Sequence, residues 1–390
     1  MYDAIVAGAG PVGSYIARAL AGNGYKTIVL EQHPEIGNKR CCTGIVGKEC
    51  FEQFPIFSGS VLTQARSAVF VSPSGKELRL SKETSQAFVI DRQSFDRSLA
   101  RKAMDSGAEY LVDAKVERVK FEGPAVRAVV CHKGKTASVP CRLLVVASGF
   151  SSSLPEKLGL GRVRDFAVGA QAQVSSSAKE IEVHFGDKIA PGFFSWLVPI
   201  AEGKALAGVL SRRRPAFLLN DFLSTLALQQ KIASPTAQIS VGGVPLTPLA
   251  RTYGERFLVV GDAAGQVKPS TCGGIYYGLL SADIAASIAS EALAANDLSA
   301  KRLSHYQKAW KKKLSKEMRI DYFARRIYER LADRQIDELF DLVQSSGIHE
   351  TLLQSDAFSF DWHGGLFLKA FKHRDLRRAL WAMTRTLLPF

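Results

Sequence analysis

No stretch of this chain approaches the eighteen or more consecutive apolar residues of a membrane-spanning helix, so none is expected. The first apolar strand starts at Ala4, which leaves no room for a signal or transit peptide. A cytoplasmic protein is therefore expected, or one resting on the cytoplasmic face of a membrane. The cysteines at 41, 42, 50, 131, 141 and 272 include no Cys-x-x-Cys pair, so no zinc or other metal site is expected. A cytosolic setting argues against structural disulfides, and Cys131 and Cys141, in strand-like segments, read as core residues. Internal repeats, low-complexity linkers and nucleic-acid modules are all missing. Acid is the scarcer charge: 37 Asp and Glu stand against 51 Lys and Arg, for a net +14. The excess gathers in residues 301–330 and 369–385. Such a balance suits anionic lipid or substrate, and equally describes a solvated charged helix face.

What is present begins with Met1–Glu31, on which the rest of the chain is organised. Ala4–Ala7 is a short apolar run of the kind found in buried parallel strands. Gly8, Gly10 and Gly13 then give G-x-G-x-x-G, followed by a small-residue helix over Ser14–Ala21 and a second apolar strand over Lys26–Leu30. In order, the three glycines permit the tight turn, the approach of backbone to a pyrophosphate, and close packing of helix on sheet. The helix start offers unpaired N–H groups to phosphate. Glu31, eighteen residues after Gly13, is spaced to accept hydrogen bonds from a ribose.

At 390 residues, two or three lobes are expected. The alternation around Ala68–Val71, a Pro73–Gly75 turn, then Leu78 and Leu80 predicts a hairpin. Asp91–Ser106 is predicted helical, with Phe95, Leu99 and Ala103 on one face. Strands are predicted near Leu111–Val119 and Ala125–Cys131, then, after a turn at Gly134, over Arg142–Ala147. A second sheet is predicted from Ala167–Val174, Ile181–Phe185, Phe194–Pro199 and Ala205–Leu210, followed by a helix over Ala216–Leu228. The remainder from 300 to 390 reads as helical and basic.

Far downstream, Phe257–Val260 precedes Gly261-Asp262-Ala263-Ala264-Gly265, a second strand, turn and helix start with an acid at the turn. One glycine-rich turn suffices for a nicotinamide nucleotide. A second points to FAD, with Asp262 on the ribitol. The helix opening at Gly274-Ile275 would aim its dipole at the flavin and favour the anionic reduced ring.

Together GAGPVG with Glu31, PEIGNKRCCTG (34–44), DRQSFDRSL (91–99), ASGFSS (147–152), PGFFSWLVP (191–199) and GDAAGQVKPSTCGGI (261–275) resemble the geranylgeranyl reductase family. The likeness spans about residues 1–290, within a flavoprotein class that also holds aromatic hydroxylases and flavin halogenases. It implies an α/β fold. An FAD-binding Rossmann-type domain (1–60, 91–160 and 246–298) would carry an inserted antiparallel-sheet substrate domain (61–90 and 161–245) and a helical C-terminal region (299–390). It further implies that the first turn, including Pro11 and Val12, meets the adenosine half of FAD together with Glu31. Cys41, Cys42 and Gly44 would form a loop beside the flavin, and Arg92 would reach the phosphates or ribityl. Val116 would present backbone to the adenine, and Asp262, Gly274 and Ile275 would hold ribitol and ring. Phe194 and Trp196 would wall a lipid tunnel. Ser148 stands where this class usually has Asp, Phe194 where a halogenase would have Trp, and Cys41-Cys42 where a single Cys precedes Gly.

The activity so implied is saturation of isoprenoid double bonds in a lipid, a quinone side chain or a chlorophyll precursor. The electron donor would be NAD(P)H or ferredoxin. Cys42, Cys272 and Tyr276 are the candidates for supplying a proton. Two other functions fit the motifs: an FAD-dependent aromatic monooxygenase and a non-catalytic electron-carrying flavoprotein. Residues 367–390 carry Leu376, Leu380, Met383 and Leu387 at helical spacing with arginines between. Such a helix would rest on anionic lipid or pack on the core with its charges outward.

Overall fold

A computed structural model describes residues 1–390 apart from 39, 40, 55, 57, 124, 356–358 and 373–390. Most of the basic tail helix expected over 367–390 thus lies outside the described residues. Among those described, no helix is long and apolar enough to cross a membrane.

The apolar run after Met1 becomes the strand Tyr2–Ala7 at the centre of an eight-stranded sheet. It pairs in parallel with Thr27–Leu30 on one side (Ala4 opposite Thr27) and with Lys135–Val146 on the other (Ala4 opposite Leu143). Successive side chains of a strand point to opposite faces. Ala4 and Val6 accordingly enter one core while Ile5 and Ala7 enter another. A strand buried on both faces needs an unbroken apolar run rather than an alternating one. The first core is closed by helices Pro11–Gly22, Arg92–Asp105 and Ile275–Ala294. Phe95, Leu99 and Ala103 are buried there, as their spacing predicts. The second core is covered by the antiparallel pair Ala114–Glu122 and Ala125–His132.

Two boundaries differ from the expectation. The strand predicted over Leu111–Val119 is broken at Asp113, whose φ of 53° turns the chain out of the parallel sheet. Conversely, Lys135–Val146 is a single strand of 12 residues that serves two partners. Its first half closes a hairpin with Ala125–His132, and its second half joins the parallel sheet.

The second lobe is a seven-stranded sheet backed by helix Pro215–Leu228, which buries Leu219, Phe222, Leu223 and Leu226. It contains the predicted hairpin, Ser67–Val71 with Glu77–Ser81. The hairpin joins through a parallel pairing, Ser67–Val71 with Ile181–His184, so this sheet is not purely antiparallel as expected. A three-stranded sheet, Ile45–Gly47, Ala87–Ile90 and Val61–Ala65, lies between the lobes.

Helix Ala300–Tyr328 has 29 residues, roughly 44 Å at 1.5 Å per residue. Leu303, Tyr306, Trp310, Leu314 and Met318 bury one stripe in the first lobe's core, and Tyr322 packs against the second. Lys301, Lys308, Lys312, Lys316 and Arg319 are exposed on its outer side, a solvated charged face.

Candidate functional site

A cavity of about 1210 Å³ opens along the seam between the lobes. Usual small-molecule sites measure about 300–1,000 Å³, so this one has room for a cofactor and a second, elongated molecule. Its wall includes Gly8, Gly10, Pro11, Val12, Glu31, Cys41, Cys42, Gly44, Arg92, Phe194, Trp196, Asp262, Cys272, Gly274 and Ile275. The topology therefore gathers residues from four distant parts of the chain. Gly13, Val116 and Tyr276 are not on that wall. Gly13 lies behind it, where any Cβ would overlap the carbonyl of Gly8. Val116 is buried opposite Val130. Two residues before it, Ala114 N donates to Glu31 O at 2.7 Å, so its strand runs beside the acid.

Two helices start at this cavity with no side chain capping them, one at Pro11 after Gly10 and one at Ile275 after Gly274. Uncapped helix starts present N–H groups suited to phosphate or an anionic ring edge. Glu31 is held at the first: Oε2 accepts from Ala9 N at 2.8 Å and Oε1 from His33 N at 2.9 Å. Asp262 is at the second, close enough that a Cβ on Gly274 would stand 2.6 Å from its Oδ1. A carboxylate beside each helix start is the donor and acceptor set that FAD's ribose, pyrophosphate, ribitol and ring require, so the residues fit that cofactor.

Arg92 is buried with its guanidinium forked onto Asp96, Nη2 lying 3.0 and 3.1 Å from the two carboxylate oxygens. Its Nη1 donates to Cys42 Sγ at 2.9 Å. Burial works against the charge, but Asp96 and Cys42 more than offset that and push the pKa of Arg92 further up. Cys42 is pinned on its other side by Gln171, whose Nε2 donates to the Cys42 carbonyl at 3.3 Å. Cys41 turns the other way, its thiol donating to Gly169 O at 3.6 Å. Arg92 thus organises the Cys41–Gly44 loop from behind while also facing the cavity.

Of the three proton-donor candidates, Tyr276 donates its hydroxyl to Gln53 Oε1 at 2.9 Å, away from the cavity. Cys272 is on the wall in a left-handed conformation, φ 59°. Burial pushes its thiol up to about 11 against the pull of Arg325 and Arg212.

The far end of the cavity is apolar: Ile181, Val183, Phe185, Phe194, Trp196 and Leu210 line it. Phe194 and Trp196 lie 6.1 Å apart between ring centroids.

Sequence reasoning missed one contributor entirely. Residues 359–363 leave the helical pattern, and Ser359, Phe360 and His363 line the cavity. Asp361, almost fully buried, pairs with Lys268 at 3.1 Å, and Trp362 Nε1 donates to Glu49 at 2.6 Å. His363 meets Ser270 at 3.0 Å. The signal that could have found them was the cluster Asp361-Trp362-His363-Gly364-Gly365, chemically rich and without helical period.

A sequence model of the lycopene cyclase protein family matches residues 3–179. A digeranylgeranylglycerophospholipid reductase of Methanocaldococcus jannaschii is 31% identical over 360 residues, 89% of this chain and 91% of that one. The chain belongs to the digeranylgeranylglycerophospholipid reductase family. A second member, digeranylgeranylglycerophospholipid reductase 1 of Methanopyrus kandleri, is 30% identical over 379 residues, covering 93% of this chain and all of that one. Among solved structures, a geranylgeranyl bacteriochlorophyll reductase-like protein of Thermoplasma acidophilum superposes with a TM-score of 0.86 at 24% identity, covering 99% of both chains. A flavin-dependent brominase superposes with a TM-score of 0.72 at 16% identity, again covering 99% of both. These two likenesses establish the fold that the family shares with flavin halogenases.

Proposed function

We propose that this protein is an FAD-dependent reductase that saturates the double bonds of geranylgeranyl or related isoprenoid chains on a lipid. The observation that carries this reading is the continuity of one cavity from two uncapped helix starts, each beside a carboxylate, to an apolar end walled by Phe194 and Trp196. When bound, FAD supplies a hydride equivalent. An isolated alkene has no carbonyl to polarise, so the protein's contribution is alignment and exclusion of water. The apolar wall supplies both, holding a flexible chain along one line. Glu31 and Asp262 anchor the cofactor's sugar groups, and Arg92 with Gln171 fixes the loop that borders the ring. Electrons would enter from a nicotinamide nucleotide or a ferredoxin. The lipid substrate would bring the protein into peripheral contact with the cytoplasmic face of a membrane.

Anaerobic, dithionite-reduced holoenzyme mixed with geranylgeranyl phospholipid provides the test. Products gaining hydrogen in pairs by mass spectrometry, with the flavin reoxidised in step, are expected. No mass gain from any prenyl substrate would overturn the reading.

A further inference from the structure

Adding a hydride equivalent to a double bond leaves one proton still to be delivered, a need that rests on the function proposed above. We propose that Ser270 and His363, positioned by Asp321, hold and deliver that proton. Ser270 and His363 both line the cavity, whereas Asp321 lies behind them and is fully buried.

The hydrogen-bond pattern fixes the protonation logic. His363 Nε2 is 2.8 Å from the carbonyl of Phe360, which can only accept, so Nε2 carries a hydrogen. The nitrogen that changes state is Nδ1, 3.0 Å from Ser270 Oγ and 3.5 Å from Asp321 Oδ2. Ser270 Oγ donates to Asp321 Oδ2 at 2.8 Å. A hydroxyl has one hydrogen, so it serves either Asp321 or a neutral Nδ1, never both. With His363 protonated, Nδ1–H donates to Ser270 and Ser270 donates to Asp321 Oδ2, so both bonds are made at once. With His363 neutral, the hydroxyl turns to Nδ1 and Asp321 loses its donor. Its other oxygen, Oδ1, has no partner among the described residues. A buried carboxylate without donors is costly, so the arrangement in which Nδ1 donates to Ser270 and Ser270 to Asp321 is the favoured one.

The surrounding charges agree. Glu317 accepts from Gly364 N on the same side. Arg325, one turn beyond Asp321, is turned onto the Phe193 ring at 3.5 Å, and Lys268 is paired with Asp361 at 3.1 Å. Tyr277, whose hydroxyl is buried nearby, is pushed up by burial and by Asp321, Glu317 and Asp361, and stays neutral.

In the step, the π electron pair forms one C–H bond with the proton passed from His363 Nδ1 through the Ser270 hydroxyl. A hydride equivalent, which FAD would supply when bound, would form the other. His363 is left neutral and takes a proton from water before the next bond.

The test follows reoxidation of anaerobically reduced holoenzyme by geranylgeranyl phospholipid across pH, normalised to reoxidation of the same sample by oxygen, which protonates no double bond. His363→Gln is expected to slow the substrate-driven rate about 100-fold or more, and Ser270→Ala about 10-fold. The wild-type rate should fall with rising pH through one ionisation that His363→Gln lacks. Asp321→Asn should move that ionisation to lower pH, because the imidazolium loses its anionic partner. If His363→Gln fails to retain FAD, Ser270→Ala carries the test. Wild-type rate and pH profile in an FAD-loaded variant overturn the proposal while leaving the reductase standing. Absence of product from the wild type overturns both.

Discussion

Glu31 illustrates how little latitude a single side chain has at this site. Its two oxygens already hold the N–H groups of Ala9 and His33, which locks the carboxylate at the mouth of the first turn. A ligand hydroxyl then meets an acceptor whose direction is set in advance. Hydrogen bonds to a charged partner contribute about 1.5–3 kcal/mol, and Glu31→Ala would also leave the Ala9 N–H without its acceptor. FAD affinity should therefore drop by roughly 10-fold to 100-fold, read by flavin fluorescence titration of the apoprotein, with the thermal stability of the apoprotein changed far less. Equal affinity in the variant would show that the ribose contact is made elsewhere. At this scale the turn glycines and acids were legible because their chemistry is local, and Arg92 and Asp96 stand one helical turn apart in a single motif, whereas the bond from Arg92 to Cys42 joins residues fifty positions apart. Asp361 and His363 were illegible for another reason: they come from a segment with no period to place it, His363 on the cavity wall and Asp361 buried against Lys268.

Strand alternation was the most readable signal, and the paired strands Ser195–Ala201 and Lys204–Ser211 show what it positions. Trp196 stands opposite Gly208 in that register, and a Cβ at Gly208 would overlap the indole ring. The missing side chain lets the indole lie flat across the neighbouring strand and form cavity wall. Gly208→Val should push the ring into the space meant for the substrate. The expected result is a raised KM for geranylgeranyl substrates at unchanged FAD content, measured by steady-state assay beside the 450 nm flavin band. A KM equal to the wild type would detach Trp196 from substrate binding. Only the apolar run at the end of Lys135–Val146 reads as a buried strand, and the exposed residues before it carry no alternation to show that the same strand also closes a hairpin. Nor could periodicity reveal the parallel insertion of Ser67–Val71 beside Ile181–His184, a pairing between segments more than a hundred residues apart.

For the whole molecule, the long helix Ala300–Tyr328 ties the two lobes together, and its C-terminal end is locked by charge. Arg212, at the end of a second-lobe strand, is forked onto Glu329 at 2.8 and 3.1 Å and also bonds Asp165. Tyr322 on the helix donates to the same Asp165 at 2.6 Å. Burial raises the pKa of both carboxylates, but the hydrogen bonds and charge of Arg212 outweigh it, so both lie below the usual carboxylate range. A group whose folded pKa is depressed stabilises the fold fully above its unfolded pKa, about 3.9 for Asp and 4.3 for Glu, and loses that contribution as pH falls toward the folded value. The protein should therefore lose resistance to urea as pH drops from about 5 toward 3. Because these carboxylates are only partly buried, the loss should be modest and smaller at high salt. Arg212→Met should remove most of this pH dependence while lowering stability near neutral pH, as followed by urea denaturation at several pH values. The same variant should loosen the helix end that carries Arg325 and Tyr328 to the cavity wall, so substrate-driven flavin reoxidation should slow at neutral pH as well. If stability changes without any change in that rate, the lock serves the fold alone and the cavity is held by other contacts, such as the Lys268–Asp361 pair.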